Sequence, residues 1–319
     1  MLLTRLLGSA LSPGGARGGL SVLIFHRVLP TPDPLFPDEP DAVRFAEILD
    51  WVGRTFNVLP LDRAITDLSS GTLPPRALAI TFDDGYADNY TVALPVLERF
   101  GFHATFFVAS SFLDGGRMWN DTVIESIRAC PASSIDLDDL GRHDLSTHAA
   151  RRQAIDRILP QVKYLVPSER LDCVSRIAER CGIRPPDDLM MTSEQLRSLY
   201  EAGMGIGGHT RTHPILARLP DSDARTEIAG GKADLEAVLG RQLTLFAYPN
   251  GKPGVDYDSR HTAMVKECGF DAAVSTSAGT ATTGSDLLQL PRFTPWDRTQ
   301  LRFCLRLFRN TRTAARLAT

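Results

Sequence analysis

Residues 77–85 read ALAITFDDG. Six residues with a single hydroxyl among them predict a buried strand over 77–82. The strand ends abruptly in two adjacent carboxylates and a glycine, Asp83-Asp84-Gly85. Clustering two carboxylates directly after an apolar strand is costly unless positive charge sits between them. A metal ion would let one aspartate ligate it while the other acts as a base. An Asx turn with helix-capping aspartates accounts for the same residues without chemistry.

The pattern repeats on either side of this stretch. SVLIFHRV (21–28) is a short apolar run between Gly19 and Pro30 and predicts a first strand. Four prolines at 32, 34, 37 and 40 then force an extended loop. Val43, Phe45, Ala46, Leu49 and Val52 recur at helical spacing over 41–55. A helix after Gly85 runs to about Arg99, interrupted by Pro95 and closed by Gly101. HATFFVA (103–109) is a further strand. Beyond residue 200 the rhythm resumes, with strands at 204–208, 243–248, 271–275 and 288–293 and helices at 221–239 and 260–268. Such alternation implies a parallel sheet covered by helices, as a barrel or an open doubly wound sheet. Residues 114–195 break the rhythm and read as a polar-rich helical insertion without a strand, with Trp119 and Asn120 as candidates to shape a cleft.

Composition excludes several classes. The 319 residues are 43% hydrophobic and 23% charged, and 35 basic against 38 acidic side chains give a net charge of −3. That balance argues against a nucleic-acid binder, which needs a clustered basic excess. No apolar run nears the roughly 20 residues of a membrane-spanning helix. The five cysteines are odd in number, scattered and without a CxxC pair, which favours a reducing compartment. Residues 1–19 read as a ragged leader, because the apolar segment Leu6–Leu11 is broken by Gly8 and Ser9 while an export signal wants about 7–15 apolar residues. The expectation is a cytoplasmic chain, with export as the lesser reading. From Arg298 onward there are six arginines and no acid, with Leu301, Phe303, Leu305 and Phe308 interleaved. This predicts a basic C-terminal helix over 298–319 that packs on the barrel, with peripheral membrane contact as the alternative.

Three further segments follow strands, where α/β folds place their sites. In GHTRTHP, His209 and His213 stand four apart and can face one ion from a helical turn. Two histidines and one aspartate leave coordination positions open, as catalytic zinc sites do. In FAYPNG, Tyr248, Asn250 and the turn at 249–251 can offer backbone N–H groups to an oxyanion. In LPRF, Arg292 ends the last strand, and Trp296 close behind can pack on a sugar ring.

Taken in order, TFDDG, HTRTHP, FAYPNG and LPRF resemble the motifs of the polysaccharide deacetylase family, the NodB-homology domain or carbohydrate esterase family 4. The resemblance runs over about residues 20–297. It implies a deformed (β/α)7 barrel, one domain carrying the helical insertion, and a divalent metal, zinc first, with cobalt, nickel or iron also suited. It implies hydrolysis of an acetyl group, chiefly the N-acetyl of an N-acetylhexosamine, on an acetylated carbohydrate. Position by position, Asp83 resembles the general base, and Asp84, His209 and His213 resemble the metal ligands. Two departures stand out: the family's arginine that holds the catalytic aspartate falls on Ala247, and its tyrosine before the glycine falls on Asn250. A histidine acid near the last strand is replaced by Arg292, so His26 at the end of the first strand is the candidate general acid. A catalytically silent glycan-binding barrel, or a metal-dependent amidohydrolase acting on a small non-sugar amide, are the alternative readings.

Overall fold

The computed structural model describes residue 9, residues 12–311, residue 313 and residues 315–319. Most of the expected leader, and Arg312 of the basic tail, lie outside the described residues. The strands are β1 (Leu20–Phe25), β2 (Asn57–Val58), β3 (Ala77–Phe82), β4 (Ala104–Val108), β5 (Ser134–Asp136), β6 (Arg142–Asp144), β7 (Gly205–Gly208), β8 (Leu245–Ala247) and β9 (Ala272–Val274). The α-helices are α1 (Ala42–Thr55), α2 (Leu61–Ser69), α3 (Leu94–Phe100), α4 (Trp119–Ala129), α5 (His148–Lys163), α6 (Pro167–Cys181), α7 (Ser193–Glu201), α8 (Asp221–Leu239), α9 (Ser259–Glu267) and α10 (Gln300–Asn310).

The main sheet is parallel throughout, in the order β1-β3-β4-β7-β8-β9, with β2 beside the start of β3. The stretch 288–293, expected as a strand, bridges instead of laddering. Leu290 pairs with Val274 and Phe293 with Leu23, both in parallel sense. Pro291 between them has no N–H to donate, which limits this run to isolated bridges. It nonetheless spans the gap between β9 and β1, through Ser275 N–H to Leu290 C=O and Phe293 N–H to Val22 C=O, each 2.8 Å. The sheet therefore curls into the deformed (β/α)7 barrel.

Side-chain alternation sorts β3 between two cores. Leu78, Ile80 and Phe82 pack toward the helices, where Phe82 stacks between Phe25 and Phe106. Ala77 and Ala79 face inward with Phe107, Leu245, Ala247, Val274 and Leu290. Small residues prevail inside because seven staves leave little room, and a Cβ on Gly207 would come within 2.4 Å of the Phe107 ring. By the same alternation Thr81 and Asp83 point inward.

The insertion has its own core, built by Val123, Ile127, Ile155, Ile158, Val174 and Ile177 of α4, α5 and α6. It also contains the antiparallel pair β5–β6, in register Ser134↔Asp144 and Asp136↔Arg142, so the expectation of an all-helical insertion is corrected. Only Ile135 and His143 of these short strands are buried, which leaves too little apolar alternation to read. Helix α10 buries Phe303, Cys304, Leu307 and Phe308 and turns Leu301, Arg302, Leu305 and Arg309 outward. All five cysteines are free. Among the described residues no helix is long and apolar enough to cross a membrane.

Candidate active site

Asp83 leaves β3 pointing into the mouth of the barrel, 3% exposed, with its N–H on Phe25 C=O at 2.9 Å. Its partner comes from the far end of the chain. Both terminal nitrogens of Arg292 donate to it, Nη1 to Oδ1 and Nη2 to Oδ2, each at 2.6 Å. Arg292 Nε donates to Ser275 C=O at 2.9 Å, so the guanidinium is fixed on two sides inside the barrel. Burial alone would push the Asp83 carboxyl up, but Arg292, with help from His209, holds it below the usual carboxylate range. Arg292 thus supplies the guanidinium expected of the third motif. Ala247 leaves that position empty of charge, and the bridging run beside β9 delivers one instead. Arg292 holds both oxygens of Asp83 in place.

Asp84 takes the left-handed backbone (φ 80°), which turns its side chain away from that of Asp83. Its Oδ1 lies 3.4 Å from His209 Nε2 and 3.4 Å from His213 Nε2. The two histidines do not sit on a helical turn, as their spacing suggested. Residues 209–213 form a loop in which Thr210 (φ 64°) and His213 (φ 53°) are also left-handed. Thr210 Oγ1 accepts the His213 N–H at 3.1 Å, and Glu227 of α8 accepts the N–H groups of Arg211 and Thr212 at 3.0 and 2.8 Å. These bonds replace the missing helical ones. His209 Nδ1 donates to Ala247 C=O at 2.8 Å, so Nε2 is the nitrogen that faces Asp84.

The three groups fit a metal ion. Their ligating atoms lie within 4.8 Å of one another. Tetrahedral bonds of about 2.0–2.1 Å place neighbouring donors roughly 3.4 Å apart, which matches the Asp84–histidine separations. Burial drives the His213 imidazole toward its neutral form, down to about 4, the form that ligates. Burial acts the same way on His209, but its hydrogen bond to Asp84 and the charge of Asp83 outweigh it and raise that imidazole. Asp84 is held well below the carboxylate range, because both histidines outweigh its burial. A divalent cation would meet the same charge from the centre of the triad.

The remaining candidates divide. His26, just past β1, is exposed in an 860 Å³ cleft that Asn250, Thr276 and Trp296 also line. Trp296 stands 71% exposed at the rim. Asn250 (φ 59°) also lines the 450 Å³ cavity that holds Asp84 and His213, and so joins the two. Tyr248 does not reach either space. It is fully buried, stacked on Tyr257 with ring centroids 3.8 Å apart, and its N–H is spent on Val274 C=O at 3.2 Å, so the expectation that it serves an oxyanion or the substrate is corrected. Its neighbour Ala247 points into the barrel, so alternation turns Tyr248 outward into the helical core. Trp119 and Asn120 of the insertion do line the smaller cavity. Lys163 and Arg170, which line it too, were not singled out from sequence, since isolated basic residues on polar helices carry no pattern.

Fold and site together define a class, a parallel barrel with a carboxylate–histidine–histidine centre and a second, arginine-held carboxylate beside it. The sequence profile of the family described as Polysaccharide deacetylase matches residues 70–273, and the chain belongs to that family. It is similar to YxkH of Bacillus subtilis (strain 168), which is assigned by name to the polysaccharide deacetylases, at 21% identity over 217 residues. That match covers 68% of this chain, and the chain spans only half (50%) of that relative's length. Among solved structures, the Streptococcus pyogenes deacetylase PplD in complex with acetate has a TM-score of 0.61 at 18% identity, covering 91% of this chain and 98% of that one. IcaB from Ammonifex degensii has a TM-score of 0.58 at 20% identity, covering 92% and 97%. These structural likenesses establish the fold.

Proposed function

We propose that the protein is a metal-dependent hydrolase that removes the N-acetyl group of an N-acetylhexosamine in a polysaccharide or glycan precursor. The observation that carries this reading is the bidentate Arg292–Asp83 pair set directly beside the Asp84/His209/His213 triad. A divalent metal, with zinc as first choice, would be held by that triad and would supply a polarised acetyl carbonyl and an acidified water. Asp83, ionised and aimed by Arg292, takes the water's proton as the oxygen adds to the carbonyl carbon. Of the turn residues, Pro249 has no N–H and Gly251 N–H is spent on Pro249 C=O at 2.6 Å, so Asn250 N–H is the donor left for the oxyanion. His26 protonates the departing nitrogen, the C–N bond breaks, and acetate and a free amine leave. Trp296 offers its exposed face to a sugar ring.

The silent glycan-binding barrel loses its main support, because the guanidinium absent from Ala247 is supplied by Arg292. Acetate release from an N-acetylglucosamine oligomer, with and without chelator, tests the proposal. The zinc-loaded protein should release acetate, chelator should stop it, and Asp83→Asn should lower the rate by at least about 10²-fold. No acetate from any acetylated glycan, with Asp83→Asn indistinguishable from the parent, would refute it.

A further inference from the structure

The barrel builds the floor of the site, but one wall of the 450 Å³ cavity comes from the insertion, through Trp119 of α4, Lys163 and Tyr164 at the end of α5, and Arg170 of α6. Two of these wall residues are cations without a counter-ion. Several partly or fully buried arginines in this chain have carboxylate partners, among them Arg27 with Asp88, Arg128 with Asp33, Arg211 with Asp234 and Arg292 with Asp83. Among the described residues, Lys163 and Arg170 have no ion pair, although each is about half-buried. Arg170 Nη1 donates only to Lys163 C=O, at 3.3 Å, and its buried Nε has no partner. The guanidinium lies 5.2 Å from the Trp119 ring centroid. A third cation without an ion pair, Arg218, sits 5.5 Å from the exposed Tyr164 ring.

Local structure accounts for Lys163, in the last turn of α5 where the helix dipole favours a cation, and gives Arg170 the Trp119 ring, but it supplies neither with an anion. Arg170 falls in the first turn of α6, where the helix dipole disfavours a cation. Burial lowers its pKa and no acid offsets that. Asp84 is the sole carboxylate among the described residues lining the cavity, and it belongs to the histidine triad. Desolvating cations with unspent donors is unfavourable until an anion arrives, and an arginine fork suits a phosphoryl or carboxylate oxygen pair.

We infer that Lys163 and Arg170 form an anion subsite, so that the preferred substrate is an acetylated amino sugar carrying a fixed negative charge, phosphoester or carboxylate, close to the acetamide that is cleaved. This rests on the deacetylase reading for the acetamide, but not for the anion.

The test uses the full zinc-loaded chain and three substrates: a neutral N-acetylglucosamine tetramer, a phosphodiester-linked N-acetylglucosamine, and a disaccharide containing N-acetylmuramic acid. At least one anionic substrate should show kcat/KM tenfold or more above the neutral one, with the advantage shrinking from 0.05 to 0.5 M salt, and the two anionic arms tell phosphate from carboxylate. Arg170→Gln and Lys163→Gln together should remove that advantage through KM and leave the neutral rate within twofold. Arg218→Gln, at the rim, should weaken it less. Equal kcat/KM on all three substrates, or variants that slow neutral and anionic substrates alike at an unchanged melting temperature, would overturn the inference. Calorimetry with glucose 1-phosphate separates the two readings, since it needs no turnover. Binding weakened tenfold or more in the double variant supports the subsite even if no acetate is ever released. If the parent protein binds neither glucose 1-phosphate nor, in a parallel titration, N-acetylmuramic acid, the inference is overturned even where acetate is released.

Discussion

Replacing Arg292 with methionine removes a guanidinium that is fully buried, beside a carboxylate 4% exposed. The side-chain volume is nearly kept, so the loss falls on two 2.6 Å bonds to Asp83 and one to Ser275 C=O. Breaking one side of a buried ion pair leaves an uncompensated charge and costs about 3–5 kcal/mol. In a domain of this size that lowers the melting temperature by roughly 4–8 °C. The sign of the pH dependence follows from Asp83, whose folded value lies below the ordinary carboxylate range. The pair's contribution is present above that range and fades as pH falls toward the lowered value. In the variant, Asp83 without its counter-charge rises, and its protonation relieves part of the penalty. The stability gap between parent and variant should therefore close on acidification. Urea unfolding of metal-free protein at several pH values measures the gap, and a double-mutant cycle with Asp83→Asn isolates the coupling. Acetate release should drop by about 10²-fold or more, because the base is no longer aimed. A loss under about 1 kcal/mol at neutral pH, or a coupling near zero, would refute the positioning role of Arg292.

Other consequences are measurable on the same protein. Zinc at 100 times its dissociation constant should stabilise the fold by about 2.7 kcal/mol, and His213→Ala should abolish that gain; a melting curve indifferent to zinc and chelator refutes the triad as a metal site. Gly231→Ala on α8 brings a Cβ within 2.6–2.7 Å of the Thr210 carbonyl group, so it should shift the 209–213 loop and weaken zinc binding at least about tenfold without touching a ligand; unaltered affinity would show that the loop does not lean on α8. Asp121 accepts a hydrogen bond from Tyr86 Oη at 3.1 Å, and burial, aided by Asp84, raises its carboxyl to about 7. The folded state then binds the extra proton, so metal-free stability should fall between about pH 4 and 7, and Asp121→Asn should flatten that slope in a pH series of unfolding curves.

Much of the fold and of the candidate site is legible in the sequence. Apolar runs at 77–82, 103–109 and 204–208, each ended by a polar turn, define parallel strands whose ends share one face, because local sequence dictates burial and turn chemistry at short range. Asp84, His209 and His213 were legible for the same reason, each sitting just past such a run. The third motif misled at Tyr248, where the strand's alternation carries the ring into the core. The hairpin β5–β6 escaped notice because three-residue strands hold too little pattern. Helical spacing of His209 and His213 suggested a helix, whereas two left-handed residues and the Glu227 clamp build a loop that reaches the same end.

Sequence alone determined the alternation that builds a parallel sheet, the paired carboxylates and the candidate donors for a metal, since each is encoded within a few neighbouring residues, while the closing of that sheet into a barrel is not. Tertiary structure alone decided which cation serves Asp83. Arg292 lies 209 residues away and meets it only because the 290–293 run closes the ring beside β1. The packing of α5 and α6 likewise set Lys163 and Arg170 against the site, for a contact between distant segments is fixed by how strands and helices pack and leaves no periodic trace in the chain.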